Sequence, residues 1–148
     1  MASEASALQF EDVVPGHRAE ITCLMDLDAV DGFAALTGDR SPLHVDAGFA
    51  TSRGFAGRVA HGALLVGYVS RLIGMVLPGR NALLLGVNMS FVAPVIVGTR
   101  VTVAGTVDQV SDAVRSLVLR IEATDEAGAV VARGKATVGF TTEAGAHG

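Results

Sequence analysis

Residues Gly62 to Leu77 read GALLVGYVSRLIGMVL, whereas from residue 82 onward apolar residues recur at every second position. That change of period limits the possible folds more than any other feature of the chain. In the first segment Leu64, Leu65, Tyr68, Val69, Leu72, Ile73, Val76 and Leu77 fall at helical spacing. Apolar residues also fill much of the other faces, which predicts a buried helix ended by Pro78-Gly79. In the second, strands are predicted at about 82–92, 99–111, 114–124 and 129–141. Val101, Val103, Gly105 and Val107 alternate there against Thr102, Ala104, Thr106 and Asp108. Pro94 and Gly98 divide the first two strands. Ser111-Asp112 and Asp125-Glu126-Ala127-Gly128 supply the hairpin turns.

Upstream, Ala19 to Met25 alternates as a first strand. Asp26 or Asp28 caps a helix to about Thr37, and Gly38 stands where a glycine ends a helix. The stretch Asp39 to Ala60 is non-periodic, with Asp46 able to cap a short helix through Ala47–Ser52. So long a connection inside a compact domain is usually functional or disordered, and Leu43, Val45, Phe49, Phe55 and Val59 argue against disorder. Residues 1–8 look like a loose tail, and the rest carries no linker or repeat, so 1–148 reads as one domain. One apolar helix with consecutive antiparallel strands is best buried by a single strongly curved sheet wrapped around it. This is an α+β hotdog architecture. Such a sheet keeps an exposed edge, which a homodimer or a dimer of dimers would cover.

Several classes fall away on composition. The net charge of −4 comes without a basic stripe, which argues against nucleic acid. The N-terminus lacks a basic region followed by an apolar run, and the most apolar stretch contains Arg71 and is too short for a membrane span. A single cysteine, Cys23, excludes an internal disulfide and a cysteine zinc cluster and suits a cytoplasmic location. Cys23 reads as a small core residue within a strand. No G-x-S-x-G elbow and no G-x-G-x-x-G turn occur, so neither a serine hydrolase nor a nicotinamide cofactor is indicated. His44-Val45-Asp46 alone is too little for a metal site, so no metal and no cofactor is expected.

Three pieces of the chain could carry chemistry. In Gly38-Asp39-Arg40-Ser41-Pro42-Leu43-His44-Val45-Asp46, a carboxylate and an imidazole lie close enough to share one water as a general acid–base pair. The competing reading is a helix-stop turn at Asp39 and a packed loop histidine at His44. In Ala60-His61-Gly62, the helix start presents unpaired N–H groups, and glycine admits a ligand close to the backbone. The Gly62 N–H could therefore polarise a carbonyl, while His61 reads as a satisfied structural histidine. Ser70, polar on an apolar helix face, either enters a site or bonds back to the carbonyl one turn earlier.

Together these residues resemble the MaoC-like (R)-specific enoyl-CoA hydratases. Gly38, Asp39, Pro42, His44 and Asp46 match that family's G-D-x-N-P-x-H-x-D hallmark, and Val59-Ala60-His61-Gly62 matches its apolar-H-G step. Gly86-Val87-Asn88-Met89-Ser90-Phe91-Val92-Ala93-Pro94-Val95 resembles the family strand with its terminal proline. One departure is Ser41, where the family usually has asparagine. A serine can still cap the turn, but it is shorter and offers no amide. The resemblance implies water addition to a 2-enoyl thioester, carried by CoA or acyl carrier protein, with Asp39 as base and His44 holding the water. It further implies that the Gly62 N–H stabilises the oxyanion, that Ser70 has a supporting role, and that sites lie near a dimer interface. A hotdog thioesterase and a non-catalytic acyl-thioester binding subunit share the same fold and are the alternatives.

Overall fold

The computed structural model describes residues 4–144. The N-terminal segment carries a short 3-10 turn, Phe10–Asp12. There follow β1 (Arg18–Met25), α1 (Leu27–Thr37), α2 (Pro42–Val45), α3 (Ala47–Ser52) and α4 (Gly62–Met75). The chain ends in β2 (Ala82–Phe91), β3 (Thr99–Ser111), β4 (Ser116–Thr124) and β5 (Val130–Phe140). The strands form one antiparallel sheet in the order β1-β3-β4-β5-β2. The sheet packs on α4, which rests on β1, β2 and β3. This is the α+β hotdog arrangement.

Local chemistry accounts for the boundaries. Asp26 caps α1 by accepting the Ala29 N–H at 2.9 Å, and Asp46 caps α3 by accepting the Phe49 N–H at 3.0 Å. Gly38 closes α1 in the left-handed region, φ 79°, where an L side chain would be strained. Along β3 the alternation holds, with Val101, Val103 and Val107 buried against the helix. At Gly105 a Cβ would sit 3.1 Å from Leu72, so the missing side chain lets α4 approach the sheet. Leu65, Val69, Leu72 and Ile73 form the inward face of α4, each stabilising the fold by roughly 1.5–3 kcal/mol. Cys23 is 3% exposed within this core, and burial pushes its thiol above the usual range.

Four expectations are corrected. Helix α4 is not buried all round: Ala63, Gly67, Ser70, Arg71 and Met75 are exposed, because the sheet wraps only one side. The tail is docked from Ser6 to Leu8, where the Ser6 N–H meets the Met75 carbonyl at 2.9 Å and Ala7 bridges to Gly79. Residues 1–3 lie outside the described residues. The stretch after Asp39 holds α2 as well as α3, since Pro42 stands at a helix start where its fixed φ is already suitable. The β3–β4 turn is longer than Ser111-Asp112, running to Arg115 at φ 47°, and leaves Val114 exposed rather than in a strand.

Among the described residues both sheet edges, β1 and β2, are unpaired. Strand β2 and the residue after it expose Leu83, Leu84, Leu85, Phe91 and Val92. Among the described residues no helix is long and apolar enough to cross a membrane.

Candidate active site

The turn after α1 places Asp39. Past Gly38 the Asp39 N–H reaches the Thr37 hydroxyl at 3.2 Å, and its carboxylate accepts the Ser41 N–H at 3.3 Å. Ser41 thus contributes through its backbone: it precedes α2 without a side-chain cap bond, and its side chain does not take up the capping expected of it. Helix α2 then turns His44 inward. Its Nδ1 lies 2.6 Å from the Val59 carbonyl, which can only accept, so Nδ1 carries hydrogen and Nε2 is left for chemistry.

The segment before α4 secures this loop. The Val59 N–H bonds the Leu43 carbonyl at 3.1 Å, and Arg58 Nε donates to the His44 carbonyl at 2.5 Å. The other end of Arg58 pairs with Asp31 on α1. His61 Nε2 lies 3.0 Å from the Asp39 carbonyl. The His61 ring stacks on His44 with centroids 3.9 Å apart and touches Phe33 at 4.7 Å. Asp39 is exposed, His44 half-buried and His61 2% exposed.

A cavity of about 330 Å³ opens beside these rings. His44, His61 and Gly62 line it together with the apolar residues Met25, Leu65, Val95 and Val131. Helix α4 begins at Gly62 without a side-chain cap; the Leu64 N–H reaches the His61 carbonyl at 3.2 Å, while the Gly62 N–H, at the cavity wall, has no intrahelical partner. The Phe91 ring lies directly against Gly62.

One ligand atom from each of Asp39, His44 and His61 falls within 4.8 Å of the other two. Donors on a tetrahedral zinc with about 2.1 Å bonds stand roughly 3.4 Å apart. A histidine nitrogen on each ring is already committed to a carbonyl. Asp39 itself does not line the cavity, but its carboxylate lies within 4.8 Å of the His44 imidazole that does, and such a pair at the edge of a mostly apolar cavity suits proton transfer to a small molecule.

The structure therefore brings Asp39 and His44 together and sets Gly62 on the same cavity as His44. It does not bring in Ser70. That residue is exposed on α4, away from the cavity lining, and makes no hydrogen bond to the preceding turn among the described residues. Sequence reasoning missed Arg58, Phe33 and Phe91, and it took His61 as a satisfied structural histidine, whereas His61 Nδ1 is buried without a partner among the described residues. Arg58 did carry a signal, as the one charge inside the run Phe55–Ala60.

The model of the MaoC like domain matches residues 9–128. An (R)-specific enoyl-CoA hydratase of Rhodospirillum rubrum is 35% identical over 129 residues, covering 87% of this chain and 89% of that protein. One from Aeromonas caviae is 34% identical over 123 residues, covering 83% and 92%. The unliganded R-hydratase PhaJ1 from Pseudomonas aeruginosa superposes with a TM-score of 0.89 at 30% identity, over 95% of this chain and 90% of that one.

Proposed function

The chain belongs to the MaoC-like domain family, and from that premise we propose how its site works. The enzyme is a hydro-lyase. It adds water to a trans-2-enoyl-CoA to give the (R)-3-hydroxyacyl-CoA, and runs the reverse dehydration with the same groups.

Asp39 takes a proton from a water that His44 Nε2 helps to hold. The water oxygen bonds to the β-carbon as the β-carbon to α-carbon π bond opens, and the electron pair moves onto the thioester oxygen. The Gly62 N–H stabilises that oxyanion. The enolate collapses as the proton returns from the dyad to the α-carbon, on the face where the oxygen was added. One proton leaves water and one reaches carbon, so the enzyme ends unchanged. The observation that carries this assignment is the convergence of Asp39 and His44 beside a cavity lined by both His44 and Gly62, the first residue of α4.

The acyl chain enters the apolar part of the cavity, with CoA or a carrier-protein pantetheine reaching in from solvent. A homodimer or dimer of dimers fits the two open sheet edges, and the exposed leucines of β2 make it the favoured contact. A second copy would also cover Asp39, which is open to water in one chain. Any supporting role of Ser70 belongs to that assembled form, since in one chain it stands outside the cavity. The test is loss of enoyl absorbance on adding a trans-2-enoyl-CoA, with thiol release followed in parallel. Hydration without thiol release supports the assignment, and thiol release without hydration sinks it.

A further inference from the structure

We propose that His61 is a positioning residue for this proton transfer, donating its Nε2–H to the Asp39 backbone carbonyl while its ring backs His44. The proposal rests on the Asp39/His44 assignment above. A carbonyl only accepts, so the nitrogen 3.0 Å from it must carry the hydrogen. In the neutral ring that leaves Nδ1 as a bare lone pair, and Nδ1 is buried with no hydrogen-bond partner among the described residues. Burying an unpaired polar atom is unfavourable, and an apolar ring of the same shape would avoid it. Packing alone therefore does not explain an imidazole at this position. The other nitrogen does.

The remaining ties on Asp39 are weak. Its bonds to Thr37 and Ser41, at 3.2 and 3.3 Å, are long, local and exposed. The His61 bond comes from a residue 2% exposed and crosses 22 positions of sequence. His61 is also the residue immediately before Gly62, at the cap position of α4. One side chain thus links the backbone of the base, the face of the partner imidazole and the start of the oxyanion donor. With the Val59 carbonyl on one edge and His61 on one face, the His44 ring is held in both tilt and rotation.

The experiment compares His61→Phe, which keeps a flat ring and loses the donor, with His61→Gln, whose amide can reach where Nε2 stands but offers no ring. Misplacing a reacting group costs up to about 100-fold, so His61→Phe should lose roughly 10- to 100-fold in kcat. Its KM should stay within about threefold and its melting temperature should hold or rise. His61→Gln should turn over faster than His61→Phe. A role in packing alone reverses that order, with His61→Phe near wild type and His61→Gln the worse of the two, and that result would overturn the proposal. Asp39→Asn is assayed alongside. If it retains activity, the dyad assignment fails. An inactive Asp39→Asn with a fully active His61→Phe overturns only the role given to His61. Should His61→Phe not fold, nitrogen chemical shifts of the wild-type imidazoles decide: a hydrogen on His61 Nε2 is expected, and one on Nδ1 alone rejects the proposal.

Discussion

Replacing Gly62 by alanine separates activity from stability, and the structure sets the size of both effects. A Cβ at this position would lie 3.0, 3.1 and 3.2 Å from Cζ, Cε2 and Cε1 of Phe91. Each contact is a few tenths of an ångström too close. Phe91 is 51% exposed, so its ring can swing outward, and Gly62 does not have the positive φ that would strain alanine. Alanine gains up to about 1 kcal/mol of helix propensity. Displacing a half-exposed ring should cost no more than about 1 kcal/mol, the low end for overpacking. Net stability should thus change by less than about 1 kcal/mol, or roughly 4 °C in melting temperature for a chain of this size. Activity should behave differently, because the new methyl and the displaced ring both stand where the thioester must approach the N–H. Loss of one oxyanion donor costs about 3 kcal/mol, or 100-fold and more in kcat. Thermal unfolding by circular dichroism and steady-state hydration kinetics on the same preparation measure the two terms. Truncating Phe91 to alanine in the Gly62→Ala background removes the crowding and should still leave most of the kinetic loss. Normal turnover in a folded Gly62→Ala protein would refute the placing of the oxyanion at Gly62.

At Gly134 on β5, a Cβ would meet the Asn88 carbonyl oxygen at 1.9 Å, so Gly134→Ala must push β2 off its neighbour. A loss of more than about 3 kcal/mol is expected, and a melting temperature within a few degrees of wild type would contradict the register. Arg58→Leu removes the bond to the His44 carbonyl and should cost about 1.5–3 kcal/mol, the range for a hydrogen bond to a charged group, with this part-buried one toward the lower end. Asp31→Ala, at the exposed end of the same pair, should cost less than about 1 kcal/mol; equal losses would show that the ion pair matters and the carbonyl bond does not. Light scattering at micromolar concentration should give a dimer or tetramer, and aspartates in place of Leu83 and Leu85 should shift it toward monomer. A wild-type monomer would contradict the interface proposed on β2.

Short-range chemistry was the legible part of this fold. Asp26 and Asp46 are helix caps whatever the tertiary structure, Gly38 suits a left-handed turn, and the period-two run of β3 shows directly which residues face the helix. The exposed face of α4 was hidden because Ala63, Gly67 and Met75 look as apolar as core residues, and periodicity does not distinguish a face buried in the fold from one left for a partner. Helix α2 is only four residues long, too short to show any period. The docking of Ser6 depends on carbonyls some 70 residues away, at Val76 and Pro78. Within the proposed site, the family resemblance singled out Asp39, His44 and Gly62; the structure brings Asp39 and His44 together and puts His44 and Gly62 on one cavity. The stacking of His61 on His44 follows from how α2 and the start of α4 pack, which no local pattern encodes.

Hydration of crotonyl-CoA by wild type and by Asp39→Asn, with the product resolved on a chiral phase, tests the mechanism most directly. The substitution keeps the side chain's shape and its contact with the Ser41 N–H, and removes only the base. Wild type should form (R)-3-hydroxybutyryl-CoA without releasing thiol. Folded Asp39→Asn should be slower by about two to four orders of magnitude. An Asp39→Asn protein that hydrates at near wild-type rate, or a wild-type product of (S) configuration, would contradict the assignment of Asp39 and His44 as the acid–base pair of an (R)-specific hydratase.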